Sequence, residues 1–122
     1  MTDTRKDLGT RAEKEAARYL EGKGFTILER NVRSKLGEID LVARSGKSLV
    51  FVEVKAGRSG DPFAPHLHLD TRKRRKLLAL GRGYLARLER PRNARFDLIS
   101  IRESGGRLYV DHFEDVIQDS MP

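Results

Sequence analysis

The segment GEIDLVARSGKSLVFVEVK, residues 37–55, predicts a β-hairpin whose second strand lies deep inside a sheet. Residues 38–43 and 49–54 have the composition of strands, and the polar residues 45–48 between them form a tight connection. The second strand is an almost unbroken apolar run, which is typical of a strand that is covered on both faces. We therefore expect residues 49–54 to be a central strand.

The elements on either side of this hairpin predict a single α/β domain over residues 1–122, with the order α-β-β-β-α-β-β around a mixed sheet. Apolar residues at helical spacing begin at Leu8, and Gly22 and Gly24 end that helix, so residues 1–7 are expected to be disordered. The remaining predicted elements are a strand at 25–32, a loop at 57–69, a helix at about 71–89 capped by Asp70 or Thr71, and strands at 96–101 and 108–113.

The composition excludes several classes of protein. The absence of Cys excludes a disulfide framework, thiolate catalysis and a zinc site with Cys ligands. No apolar run approaches the roughly 20 residues of a transmembrane helix, and no secretory leader begins the chain, so a cytoplasmic protein without a membrane partner is expected. His66 and His68 have no third metal ligand spaced nearby, and we interpret them as loop residues.

The net charge of +7 is concentrated in one segment. Residues 72–95 contain ten Lys and Arg residues and one acid, whereas the rest of the chain is close to neutral. Such a stripe is typical of a polyanion binder, and the alternative is a solvated helix face that is basic by chance. Uniform sign favours nucleic acid, because exposed helices usually mix charges to form ion pairs. The expected contacts in this stripe are Arg72, Lys73, Arg74, Arg75, Lys76 and Arg82.

Two acidic side chains of the hairpin are expected to face each other. A connection at residues 45–48 places Asp40 opposite Glu53 and Glu38 opposite Lys55, and a turn one position earlier would instead pair Glu38 with Glu53. Opposed Cβ atoms are about 4.5–5.5 Å apart, a separation at which like charges are destabilising. A divalent cation between the two carboxylates would offset the repulsion, and oxygen ligands suit Mg²⁺ or Mn²⁺.

Lys55 follows Glu53 by two residues, so its ammonium is expected on the same face of the strand. Two acids and a lysine around a hard cation form a constellation suited to phosphodiester hydrolysis, because the metal activates water and the lysine neutralises developing charge. The alternative for these residues is a surface salt-bridge ladder of Asp40, Glu53, Lys55 and Glu38. On spacing alone both interpretations stay open.

Several motifs resemble those of a known family. Asp40, followed by Glu53-Val54-Lys55 at the end of an apolar strand, resembles the PD-(D/E)xK nuclease signature in its D…ExK form. More narrowly, the chain resembles the bacterial YraN family, UPF0102, through Gly9-Thr10-Arg11-Ala12-Glu13, Ala16, Tyr19-Leu20, Arg30-Asn31-Val32-Arg33, residues 37–41, residues 51–55, Lys73 and Arg95-Phe96-Asp97.

The resemblance implies a restriction-endonuclease-like, three-layer α/β/α fold with a central mixed sheet, similar in shape to archaeal Holliday-junction resolvases and the catalytic domain of tRNA-splicing endonucleases. It implies a metal site formed by Asp40, Glu53 and the backbone carbonyl of Val54, with Lys55 as the catalytic lysine. Glu13 matches an acid of the first helix that supports such sites, and Glu38 is a further candidate for support. The helical pattern agrees, since Glu13 flanks the apolar stripe of its helix and is expected to turn toward the sheet, and the alternative is an ordinary solvated helix acid.

The chain departs from the family pattern at two positions. Ala12 stands where the family usually has a second glycine, which changes little. Gly57 stands where a basic residue usually follows the lysine, and Arg58 comes one position later. A specific phosphate contact is therefore in doubt, and Arg58 is the candidate for it.

Together these observations predict a Mg²⁺- or Mn²⁺-dependent endonuclease that binds DNA through residues 71–95. Because phosphate contacts carry little sequence information, we expect cutting that is selective for structure, with branched DNA as the substrate that the resemblance suggests. The alternatives are a nucleic-acid-binding module with an idle metal site and a protein-interaction domain that docks an acidic partner. A homodimer is a further expectation, since small nucleases that cut both strands often need two copies.

Overall fold

The computed structural model describes residues 4–58, 69–90 and 92–117. Its elements are α1 (Arg5–Gly22), β1 (Thr26–Ser34), β2 (Gly37–Ser45), β3 (Ser48–Arg58), α2 (Thr71–Ala86), β4 (Ala94–Ser104) and β5 (Arg107–Phe113). The predicted order α-β-β-β-α-β-β and the α/β class are confirmed. In the described ranges neither helix has the length and apolarity needed to cross a membrane.

The five strands form one mixed sheet in the order β1-β2-β3-β4-β5. β3 pairs in parallel with β4, and the other three pairings are antiparallel. The parallel pair requires a long crossover, which α2 and its flanking segments supply. The prediction that residues 49–54 form a central strand is confirmed, because β3 lies between β2 and β4 with Val50, Phe51 and Val52 almost fully buried.

Apolar residues form two clusters, one with each helix. Val50 and Val52 of β3 pack in the cluster that contains α1, whereas Phe51 between them packs in the cluster that contains α2. Since successive strand residues point to opposite faces, the two helices cover opposite faces of the sheet. α2 approaches its face closely at Gly81, where an added Cβ would lie 2.5 Å from Cζ of Phe96.

α1 begins earlier than its apolar spacing predicts. Thr4 caps the helix through a capping box with Asp7, in which each side chain bonds the other residue's backbone N–H. The expected disorder of residues 1–7 is therefore wrong for residues 4–7, and residues 1–3 lie outside the described residues. Hydroxyl and carboxylate groups three residues apart were the signal for this start.

The boundaries around the predicted loop also shift. β3 continues through Gly57 and Arg58, because pairing with β4 extends to Arg58. Residues 59–68, including His66 and His68, lie outside the described residues. Asp70, one of the two predicted caps, begins α2 by accepting a hydrogen bond from the N–H of Lys73 at 2.9 Å. α2 ends at Ala86 instead of residue 89, where the N–H of Arg87 bonds the carbonyl of Tyr84 and tightens the last turn.

Candidate active site

The predicted hairpin register is confirmed as far as β2 and β3 pair. Arg44 pairs with Leu49 and Ser45 with Ser48, so Gly46 and Lys47 form a two-residue turn, and the alternative turn one position earlier is wrong. Pairing continues to Leu41 and ends there. Beyond that point the strands separate, and the acidic residues of the hairpin lie at this opening.

Asp40 uses its side chain where the backbone pairing stops. Its Oδ2 atom accepts a hydrogen bond of 2.8 Å from the backbone N–H of Val54. Burial, a hydrogen bond shared with Glu53 and the charge of Glu53 raise the pKa of Asp40 from 3.8 to about 8, against the lowering effect of the Val54 N–H. The two carboxyls therefore interact directly, as the register predicted, and repel each other when both are ionised.

Glu53 contributes an oxygen that lacks a hydrogen bond. Its Oε2 atom is buried and has no hydrogen-bond partner among the described residues. The ammonium of Lys73 lies 3.4 Å from this oxygen, an ion-pair contact without hydrogen-bond geometry. A buried carboxylate oxygen in this condition loses solvation that a cation or a donor would replace.

Lys55 is half-buried on the same strand, two residues after Glu53. It makes no hydrogen bond or ion pair with any residue in the described ranges. The alternative salt-bridge ladder is therefore wrong, since its one cation pairs with none of its three acids. The cation that does pair with Glu53 is Lys73, which the sequence suggested as a nucleic-acid contact.

Glu13 turns from α1 toward the sheet, as expected. The amide of Asn31, oriented so that its nitrogen faces the two acids, donates to Oε2 of Glu13 at 3.0 Å and to Oε1 of Glu38 at 2.5 Å. Burial, followed by the charges of Glu38 and Glu53, raises the pKa of Glu13. Glu13 and Glu38 thus extend the acidic region around Asp40.

The predicted pairing of Glu38 with Lys55 does not form, because the pairing of β2 with β3 ends at Leu41. On its other side Glu38 pairs with Arg33 of β1. Asn31 was missed as a functional residue. It adopts a left-handed backbone with φ of 52°, which asparagine tolerates better than most residues. An asparagine inside a strand, where the residue is disfavoured, was the available signal.

The acidic region suits a hard cation with few protein ligands. In residues 4–58, 69–90 and 92–117, no group of three or more His, Cys, Asp or Glu side chains is arranged to hold a metal ion. Asp40 and Glu53 form a pair, with one proton-binding carboxyl and one buried oxygen that lacks a hydrogen bond. Mg²⁺ commonly uses one or two carboxylates and keeps several waters, so the pair fits that ion.

The basic residues divide into three groups. Arg72, Arg74, Arg75 and Arg82 have exposed side chains on α2. Lys76 is also exposed, but its chain runs over the β1–β2 turn, with Cε 2.7 Å from the position of an added Cβ at Gly37. Lys73 contacts the acid pair.

Two arginines outside α2 are tied to acids. Arg58 lies 3.8 Å from Glu103 at the end of β3, so it is not a free phosphate contact. Arg95, at the end of the basic stripe, donates two hydrogen bonds to Asp97, at 3.0 and 3.2 Å. The sequence could not show the partner of Arg58, because Glu103 lies opposite it on β4, whereas Arg95 and Asp97 are two residues apart on one strand and so share a face.

Asp97 belongs to a separate polar cluster. Its fully buried carboxylate also contacts Nε2 of His112 at 2.7 Å and accepts from the N–H of Asp115 at 3.0 Å. Nδ1 of His112 lies 3.2 Å from the ammonium of Lys23, which only donates, so Nε2 carries the ring proton. This cluster supports β4 and β5 and includes none of the acids at the hairpin opening.

Comparison with known proteins shows similarity over most of the chain. Residues 12–101 match the family described as "Uncharacterised protein family UPF0102". A UPF0102 protein of Geobacter metallireducens is 41% identical over 114 residues, 93% of each chain. Those of Syntrophotalea carbinolica and Thermotoga maritima are 42% identical over 115 and 106 residues, covering 93% and 86% of this chain and 93% and 92% of theirs. The family is described as uncharacterised, so the similarity by itself assigns no activity.

Proposed function

The chain belongs to the UPF0102 family, and we propose that this member is a divalent-cation-dependent endonuclease that hydrolyses phosphodiester bonds in DNA. The observation that carries the proposal is the carboxyl pair of Asp40 and Glu53. Burial and the hydrogen bond and charge of Glu53 raise the pKa of Asp40 to about 8, and among the described residues Oε2 of Glu53 is buried without a hydrogen-bond partner. A divalent cation bound between the two carboxyls would relieve their repulsion and coordinate that oxygen.

Asp40, Glu53 and the backbone carbonyl of Val54 would hold Mg²⁺ or Mn²⁺. When bound, the cation would polarise the scissile phosphate and lower the pKa of a bound water. The N–H of Val54 orients the Asp40 carboxylate toward Glu53, and Asn31 holds Glu13 and Glu38 beside them. Lys55, two residues after Glu53 on β3, has an ammonium with no partner among the described residues, and it would stabilise charge that develops on the phosphate.

The exposed arginines of α2 would hold the DNA backbone, since the helix begins beside the acid pair through Lys73. Opposite-face packing of the two helices on a mixed sheet supports a restriction-endonuclease-like arrangement. Backbone contacts of this kind favour selection by structure, and branched DNA is the substrate class that the resemblance suggests. Action in the cytoplasm and as a homodimer are parts of the same proposal.

Cleavage of linear, flap and four-way DNA with Mg²⁺ or Mn²⁺ tests the function, with wild type compared with Asp40→Asn. We expect metal-dependent cleavage by the wild type and loss of cleavage by Asp40→Asn. Asp111→Asn, an exposed acid of β5, is the matched control and should cleave like the wild type. Equal cleavage by Asp40→Asn and the wild type would overturn the assigned role of the pair.

Calorimetric titration with Mn²⁺, compared with the cleavage assay, separates an active enzyme from a binding module. Manganese binding and DNA binding without cleavage of any substrate would favour the idle metal site. DNA affinity should fall with salt at a log–log slope of about −0.9 per phosphate contacted. Absence of both manganese and DNA binding would favour the acidic protein partner instead.

A further inference from the structure

A second group of cationic side chains lies at the other end of the sheet from the acid pair. Arg44, Lys47, Arg90 and Arg92 line a cavity of about 690 Å³ with Gly46 and Asn93, and these four side chains are called the basal cluster here. Two of them come from the β2–β3 hairpin and two from the segment after α2. The charge stripe at residues 72–95 does not include the hairpin residues.

Backbone geometry holds the two halves of the basal cluster together. The N–H of Leu49 donates to the carbonyl of Asn93 at 2.8 Å, which fixes the segment after α2 against the start of β3. Gly46 has φ of +60° in the two-residue turn, which places Arg44 and Lys47 on either side of it. The cavity is therefore built by two segments, the β2–β3 hairpin and the residues after α2, that the sheet brings together.

The charge of the basal cluster is not balanced within the described ranges. None of its four side chains forms an ion pair there, and Arg44 has one hydrogen bond, of 3.4 Å, to the Thr26 hydroxyl. Other cations of the chain do have acidic partners, including Lys73 with Glu53, Arg58 with Glu103 and Arg95 with Asp97. Converging cations without an acid form a site for an anion, and arginine pairs with phosphate in a two-pronged geometry.

The distance between the basal cluster and the acid pair can be obtained from two elements, β3 and α2. At about 3.3 Å per residue, the five steps along β3 from Ser48, next to Lys47, to Glu53 span about 17 Å. At about 1.5 Å per residue, the fourteen steps from Lys73 to Arg87, the C-cap of α2, span about 21 Å. Phosphates of one strand advance about 3.4 Å per base pair, so the separation corresponds to roughly five or six base pairs.

We propose that the basal cluster binds backbone phosphates of the same DNA, about five or six base pairs from the bond that is cut. This inference rests on the proposed function and adds the length of duplex that the protein engages. α2 runs from Lys73 beside the acid pair toward the segment that carries Arg90 and Arg92, with exposed Arg82 on the way, so a duplex along α2 reaches both sites. A duplex too short to span the distance gains nothing from the basal cluster.

Binding of a 12-base-pair duplex, measured by fluorescence anisotropy in EDTA over a range of salt concentrations, tests the inference without cleavage. Arg44→Ala combined with Lys47→Ala should make the log–log salt slope shallower by about 2, one for each phosphate-contacting cation removed. With a 4-base-pair stem closed by a hairpin loop, which keeps the strands paired, the same variant should bind like the wild type. Lys14→Ala combined with Arg107→Ala removes two exposed cations elsewhere and should leave both slopes unchanged.

An unchanged slope for the basal variant on the 12-base-pair duplex would overturn the inference. If Arg74→Glu with Arg75→Glu still weakens binding in that case, the proposed function survives and only the basal contact is lost. If the wild type binds neither this duplex nor four-way DNA, both fail. NMR shifts of the Gly46 and Asn93 amides distinguish the ligand source, because movement with pyrophosphate but not with duplex would mean a small-phosphate site and overturn the DNA contact.

Discussion

The backbone N–H of Val54 donates to Oδ2 of Asp40 at 2.8 Å, at the place where β2 and β3 stop pairing. The Asp40 carboxyl thus accepts from a backbone N–H of β3 that a backbone carbonyl of β2 would bind if the strands continued to pair. This bond directs the Asp40 carboxyl toward β3, where it meets Glu53. The hydrogen bond from Val54 to Asp40 thus accompanies both the end of strand pairing and the contact between the two acids.

The pH dependence of stability should report this pair. The pKa of Asp40 is about 8 in the fold against 3.8 for a free side chain, so between these values the folded protein holds a proton that the unfolded chain releases. Its contribution is complete below pH 4 and is lost as pH rises toward 8. Asp40→Asn should therefore gain stability relative to the wild type as pH rises, on the order of a few kcal/mol by pH 8.

Urea denaturation in metal-free buffer at several pH values measures this difference. Asp111→Asn, on an exposed part of β5, should track the wild type throughout. Parallel curves for Asp40→Asn and the wild type would mean that Asp40 titrates normally. Adding Mn²⁺ at pH 8 should remove the disadvantage of the wild type, because a cation that binds only the folded state stabilises it increasingly as its concentration exceeds the dissociation constant.

Lys55→Ala should separate chemistry from binding. Lys55 has no partner in the described ranges, so its removal leaves no unpaired acid and stability should change little. Cleavage with Mn²⁺ should fall by about 100-fold or more, the usual loss when one charge-stabilising group is removed, while duplex affinity changes by less than about threefold. Lys14→Ala, an exposed lysine of α1, serves as the control. Undiminished cleavage by Lys55→Ala would reject its catalytic role.

The Asp97 cluster should matter for folding and not for the acid pair. Burial alone would raise the pKa of Asp97, but hydrogen bonds from His112, Arg95 and the N–H of Asp115 outweigh it and lower the pKa. The resulting stability is present above the usual pKa and is lost as pH falls below it. Asp97→Asn leaves Arg95 without its carboxylate and should cost about 3–5 kcal/mol at pH 7.

The cost of Asp97→Asn should shrink toward pH 3, and denaturation curves at the two pH values measure it. Manganese titration of the folded variant should match the wild type, since none of the contacts of Asp97 reaches Asp40 or Glu53. A pH-independent cost would show that packing, and not the ionised carboxylate, is what the substitution removes. Weakened manganese binding would instead connect the two clusters.

Sequence patterns predicted the local order of the fold and the face-to-face acids, because both follow from strand periodicity and one short turn. They did not predict the partners of Lys73 or Arg58, since each depends on how α2 or β4 is placed against β3. Glu38 is a further example. The predicted register paired it with Lys55, but the pairing of β2 with β3 ends at Leu41, before that position. The packing of elements that are distant in sequence decides which of these charged side chains meet, and residue spacing does not predict that packing.

Substitution of Lys73, which contacts the acid pair, should have a different effect from substitution of its exposed neighbour Arg74. Its ammonium lies 3.4 Å from the buried Glu53 oxygen, the position at which a divalent cation would bind, so the two compete. Lys73→Ala should therefore bind Mn²⁺ at least as tightly as the wild type, whereas the exposed neighbour Arg74→Ala should leave manganese affinity unchanged and weaken only duplex binding. Calorimetric titration with Mn²⁺ and anisotropy with duplex DNA measure the two effects separately. Weaker manganese binding by Lys73→Ala would show that the lysine organises Glu53 for the metal and does not compete with it.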